Sequence, residues 1–85
     1  MNVTIDCSQI HSRESLHRTF SKALSFPDWY GNNLDALHDC LSGMTGTIRL
    51  ENWEEAESAL GKYGTAAKKA IVRAGFENKE LDIIL

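Results

Sequence analysis

Basic residues are missing from the middle of this chain: none occurs between Lys22 and Arg49. Cysteine is scarce as well. Cys7 and Cys40 stand alone and far apart, without a C-x-x-C pair, so no zinc-type or thioredoxin-type motif can be built from them. No H-x-x-x-H pattern occurs, and no G-x-x-x-x-G-K phosphate loop; Gly31, Gly43 and Gly46 read as turn or cap positions. No long apolar run exists, and the opening Met1-Asn2-Val3-Thr4-Ile5-Asp6 has neither a basic cluster nor an apolar stretch. The expectation is a chain with no signal peptide, no membrane span and a cytoplasmic location. There the two cysteines would remain free thiols. Repeats, linkers and low-complexity segments are absent too.

What remains is 85 residues with a mild net charge of −3, enough for one domain over residues 1–85 with a modest core. The charge is unevenly spread. From Ala23 to Glu57 the acids Asp28, Asp35, Asp39, Glu51, Glu54, Glu55 and Glu57 face Arg49 alone. From Ser58 to Phe76 there are Lys62, Lys68, Lys69 and Arg73 and no acid. An acidic half repels phosphates, so nucleic acid is not the expected partner.

Hydrophobic periodicity sets the elements. Val3 and Ile5 alternate with polar residues as in a strand. Ser12 caps a helix whose apolar face is Leu16, Phe20, Ala23 and Leu24, with Ile10 packing back on it and Pro27 ending it. After a loop comes a helix from Leu34, then a short strand at Thr47-Ile48-Arg49-Leu50. Asn52 with Glu55 suggests a capping box for a short helix that turns Trp53, Ala56 and Leu60 inward and breaks at Gly61 and Gly64. Ala66 to Phe76 forms a further helix, with Ala67, Ala70, Ile71 and Ala74 inward. Leu81-Asp82-Ile83-Ile84-Leu85 is the last strand. Strands separated by helices imply parallel pairing. The fold class is therefore α/β: a small three-stranded parallel sheet packed by about four helices. The apolar terminal strand is expected inside the sheet, between the other two. His11 and His17 are expected at the surface.

The run Phe26-Pro27-Asp28-Trp29-Tyr30-Gly31-Asn32-Asn33-Leu34-Asp35-Ala36-Leu37-His38-Asp39-Cys40-Leu41-Ser42-Gly43 carries the functional signal. Asn33 can cap its helix, and Gly43 can stop it in the left-handed conformation. Leu34, Leu37 and Leu41 form one apolar stripe. Asp35, His38, Asp39 and Ser42 form the opposite one. The two acids at i and i+4 repel each other by about 0.2–0.5 kcal/mol. Asp39 also lies toward the helix end that disfavours anions. Acids kept where they cost stability, beside the loop aromatics Trp29 and Tyr30, suggest a surface for a basic protein partner.

Other chemistry fits less well. Asp35, His38 and Asp39 share a face at metal-ligand spacing but lack a supporting fourth ligand. As an acid–base set they would need a concave, partly desolvated pocket, whereas this face, opposite the core leucines, is expected to be convex. Cys40 falls nearer the leucine side, where a thiol is inert. The expectation is no catalytic residue, no cofactor and no metal.

The same run resembles the signature of the barstar family, intracellular inhibitors of a secreted microbial ribonuclease. The matching residues are Pro27, Tyr30-Gly31, Asn33-Leu34-Asp35-Ala36-Leu37, Asp39-Cys40-Leu41 and Gly43, with weaker matches at Gln9-Ile10, Leu16-His17, Thr19 and Asp82-Ile83-Ile84-Leu85. The resemblance implies a small α/β fold and a 1:1 complex in which a monomer blocks the active site of a basic secreted ribonuclease or related toxin. Asp35 and Asp39 would then sit where substrate phosphates bind. Trp29 and Tyr30 would supply the aromatic loop, and Asn33, Leu34, His38, Ser42, Gly43 and Met44 would complete the patch. His38 and Met44 stand where the best known member has tryptophan, and Trp29 where it has tyrosine. The acid that the family supplies from a second helix is missing from Lys68-Lys69-Ala70-Ile71-Val72-Arg73, with Arg73 in its place. The changed periphery implies a different cognate toxin. The other reading is a binding module of this fold with a non-ribonuclease client.

Overall fold

A computed structural model describes residues 1–85. Strand β1 (Asn2–Asp6) leads through a short 3-10 turn (Cys7–Gln9) into α1 (Arg13–Leu24). Then come α2 (Leu34–Ser42), β2 (Gly46–Glu51), α3 (Trp53–Leu60), α4 (Lys62–Glu77) and β3 (Leu81–Ile84). All three strands are parallel, in the order β1-β2-β3. Val3 pairs with Ile48 and Ile5 with Leu50, while Ile48 pairs with Ile83 on the other side.

The expected position of the last strand is therefore corrected: β2 is central and β3 lies at an edge. Composition did not separate the two, but burial does. On the inward face Ile48 and Leu50 of β2 are both almost fully buried, whereas β3 has Leu81 buried but Ile83, the partner of Ile48, only half-buried. Asp82, an outward-facing acid, suits an edge strand, where a charge discourages pairing with another chain.

One continuous core draws on every strand and helix, with Leu16, Phe20, Leu37, Leu41, Ile48, Ala67 and Ile71 at its centre. Trp53 is buried in it, and its indole N–H donates to Glu57 Oε1 at 2.9 Å. Cys7 and Cys40 are both free. Burial pushes the Cys7 thiol up to about 11, with the neighbouring Asp6 carboxylate adding to it, so it is inert as a nucleophile. No helix is long and apolar enough to cross a membrane.

Local chemistry shapes the helix ends, and several differ from expectation. Ser12 caps α1 reciprocally with Ser15. The helix stops at Ser25 (φ 55°), ahead of Pro27. Gly43 ends α2 at φ −100°, ψ 3°, outside the left-handed region; its N–H instead reaches back to the carbonyls of Cys40 and Leu41. Asn52 forms no capping box. It takes φ 60°, and its side chain donates to Asp6 Oδ1 at 3.1 Å, tying α3 to the end of β1. Only Gly61 (φ 61°) breaks the chain between α3 and α4. Gly64 lies inside α4, which begins at Lys62 rather than Ala66. A Cβ on Gly64 would come within 2.7 Å of the Glu57 carbonyl, so glycine is required there by the close approach of α3.

Candidate functional site

Two anchors hold α2. At its start Asn33 Oδ1 accepts from the Ala36 N–H at 2.8 Å, while Asn33 Nδ2 donates to the Gly31 carbonyl at 3.1 Å. At its end Asn78, just past α4, donates from Nδ2 to the carbonyls of Met44 at 2.7 Å and Leu41 at 3.2 Å. One amide side chain thus satisfies a helix-end carbonyl and fixes the exit of α2 against α4. Leu37 and Leu41 are buried, while Leu34 is half-buried and reaches the surface. This orientation leaves Asp35, Asp39 and Ser42 facing solvent. The Ser42 hydroxyl is turned back to the His38 carbonyl at 2.8 Å.

The face is not convex as expected. An open groove runs between α2 and α4, with Leu34, Asp35, His38 and Asp39 on one wall and Lys69, Ala70 and Arg73 on the other. Its walls join through an acid that the sequence did not reveal. Glu77, near the end of α4, accepts from His38 Nε2 at 2.9 Å and from Arg73 Nε at 3.1 Å. The Arg73 hydrogen bond, and then that of His38, hold its carboxyl below the usual range. Because an ionised carboxylate only accepts, the His38 proton facing Glu77 is on Nε2. Nδ1 lies 3.8 Å from Asp39 Oδ1, beyond hydrogen-bond reach. An acid thus stands one helical turn after Arg73 and bonds to it. Its link to His38 spans 39 positions in the chain, which no local pattern signals.

The aromatic loop divides into one exposed and one buried ring. Trp29 is 82% exposed. Tyr30, expected at the surface with it, is buried, and its ring packs 4.7 Å from that of Phe26. The turn from Pro27, closed by the Tyr30 N–H on the Pro27 carbonyl at 3.0 Å, sends the two neighbours opposite ways. Tyr30 is therefore the anchor of this loop rather than part of its exposed face. Its hydroxyl meets His17 Nδ1 at 2.7 Å, and Tyr63 meets His17 Nε2 at 2.7 Å. His17, expected at the surface, is 2% exposed. The signal was available, since His17, Phe20 and Leu24 fall at i, i+3 and i+7 on the buried stripe of α1. Burial lowers the His17 pKa and raises that of Tyr30. A neutral imidazole offers one donor and one acceptor, which two hydroxyls satisfy in full.

Asn33, Gly43 and Met44 close the surface around α2, with Met44 half-buried against the core. No three His, Cys, Asp or Glu side chains are disposed to hold a metal ion. The result is a helix anchored at both ends that leaves two carboxylates exposed, preceded in the chain by an exposed indole.

Comparison with known proteins agrees with this architecture. The family model described as Barstar (barnase inhibitor) matches residues 1–82. The YrdF protein of Bacillus subtilis (strain 168), named there as a candidate ribonuclease inhibitor, is 38% identical over 81 residues, covering 92% of this chain and 89% of its own length. With a whole-chain match to the family and a relative of this similarity, the chain belongs to the barstar family.

Proposed function

We propose that this protein is an inhibitor, or immunity protein, that blocks the active site of a basic microbial ribonuclease with α2 and the Trp29 loop. The observation that carries the reading is the state of Asp35 and Asp39. Both are exposed on a doubly anchored helix, and neither is paired with a lysine or arginine. Charges held in place without a partner are preorganised for one, so little ordering entropy is lost on binding. A ribonuclease cleft that attracts phosphate supplies the complementary cations. Trp29 supplies a large apolar ring with few rotatable bonds at the edge of the patch. Around them Asn33, Leu34, His38, Ser42, Gly43 and Met44 extend the contact, while Tyr30 supports it from below.

Inhibition of this kind is occupation without chemistry, by one cytoplasmic monomer per nuclease. Titration of RNA cleavage by purified basic microbial ribonucleases tests it. The expected result is stoichiometric loss of cleavage with at least one of them, relieved by Asp39→Ala. If none is inhibited while the chain captures a partner without ribonuclease activity through the same residues, the protein is a binding module for another client.

A further inference from the structure

The two walls of the α2–α4 groove carry opposite charges that do not neutralise each other. Asp35 and Asp39 stand on one side, Lys69 and Arg73 on the other. No ion pair joins the pairs across the groove. Lys69 has no ion-pair partner at all, and Arg73 is paired with Glu77 on its own helix. That contact uses Nε, and the two terminal nitrogens remain free for a planar carboxylate. The side chains of Arg73 and Asp39 are 71% and 84% exposed. Glu77 is already shared between His38 and Arg73, so the carboxylates left over are those of α2 alone.

We infer that the groove fits a partner presenting charges in the reverse order: a cation to Asp35 and Asp39, and a carboxylate to Lys69 and Arg73. This rests on the groove being the nuclease-binding surface, and it narrows the class of nuclease. A cleft that is cationic throughout would set its own cations against Lys69 and Arg73 as the interface loses water. Like charges brought together in this way suppress wrong partners. The basic wall therefore acts as the specificity filter, and the acidic wall as the general attraction.

Barnase, a basic nuclease, is a suitable probe. Affinity for it is measured for the unsubstituted chain, for Lys69→Glu/Arg73→Glu, and for that double variant carrying Asp39→Ala, each checked for folding by circular dichroism. Removal of the filter should tighten binding by roughly tenfold or more at low salt, and the gain should shrink as salt rises. Unchanged or weaker binding by the double variant overturns the inference. So does binding by neither chain, because relief of repulsion should uncover an interaction. The Asp39→Ala background separates the two readings. If it leaves a tight complex intact, α2 is not the nuclease surface and the proposed function falls. If it abolishes binding while charge reversal brings no gain, only the inferred order of charges falls.

Discussion

His17 Nδ1 and Tyr30 Oη meet at 2.7 Å, and that buried contact fixes the base of the loop from which Trp29 projects. The second imidazole nitrogen binds Tyr63 of α4. Arg13 closes the assembly from α1, its guanidinium 4.4 Å from the centre of the Tyr63 ring. The exposed Trp29 loop is thus tied to two helices by one neutral histidine.

Acid should loosen this tie. Burial lowers the His17 pKa in the folded protein, so the unfolded chain takes up the proton first as pH falls. The contribution is present in full above the ordinary imidazole value of about 6.5 and declines below it, until the folded form also protonates. One such group limits the slope to about 1.4 kcal/mol per pH unit. Denaturant unfolding at several pH values below neutrality should show this decline. His17→Gln, which keeps a donor and an acceptor, should flatten the part due to this site. An unaltered slope would place the acid sensitivity elsewhere.

Asn78 makes a second long-range tie, so Asn78→Ala should cost about 1–3 kcal/mol, since the Met44 carbonyl loses its donor in a partly buried place and the Leu41 carbonyl keeps only its backbone donors. Asn78→Asp should be no better, because a carboxylate cannot donate. Thermal melts check stability, and hydrogen exchange at Leu41–Met44 should rise in both variants. Protection equal to that of the unsubstituted protein would show that water replaces the amide without loss.

Gly46 opens the central strand at φ 122°, and a Cβ there would lie 1.9 Å from the Met1 carbonyl oxygen. That oxygen accepts from the Thr47 N–H, so it cannot withdraw without breaking the β1–β2 ladder. Gly46→Ala should therefore destabilise by roughly 2–4 kcal/mol, combining backbone strain with a displaced strand. A melting temperature within a degree or two of the original would refute this.

These ties explain which parts of the molecule were legible in the sequence. The signals at Ser12, Asn33 and the Leu34-Leu37-Leu41 stripe are local, written within one or two helical turns, and the structure keeps them. The choice between β2 and β3 as the central strand is made by pairing across the sheet. Leu81-Asp82-Ile83-Ile84 and Thr47-Ile48-Arg49-Leu50 look alike until their neighbours are known. The capping box suggested by Asn52 and Glu55 loses to the bond from Asn52 to Asp6, a partner in a distant segment. Tyr30 and His17 each look polar enough for the surface, yet each satisfies the other in the core. Glu77 enters the site only because α4 returns alongside α2.

Association with a basic nuclease should slow as ionic strength rises. Asp35 and Asp39 are unpaired with any lysine or arginine, and the segment from Ala23 to Ile48 holds three acids and no lysine or arginine. Salt screens the long-range attraction that such a surface exerts. The barnase–barstar complex of this family is itself a standard example of such steering, so direction rather than size is the prediction. Stopped-flow mixing over a salt series measures it. An association rate indifferent to salt would point to an apolar client seated on Trp29.

Asp39 should trade stability for binding. Its carboxylate is exposed, lies in the half of α2 where the helix dipole disfavours an anion, and follows Asp35 by one turn. Its nearest cation-capable neighbour, His38 at 3.8 Å, is already bonded to Glu77. Removal should leave folding unchanged or improve it by about 0–1 kcal/mol. The same Asp39→Ala change should weaken the nuclease complex by about 2–5 kcal/mol, since it strands a partner cation in a dry interface. Asp35→Ala should weaken binding without the stability gain, because that acid sits at the favourable end of the helix. Denaturant unfolding and nuclease titration of the same preparations measure both quantities. Destabilisation by several kcal/mol with binding intact would make Asp39 structural and move the recognition surface to another face.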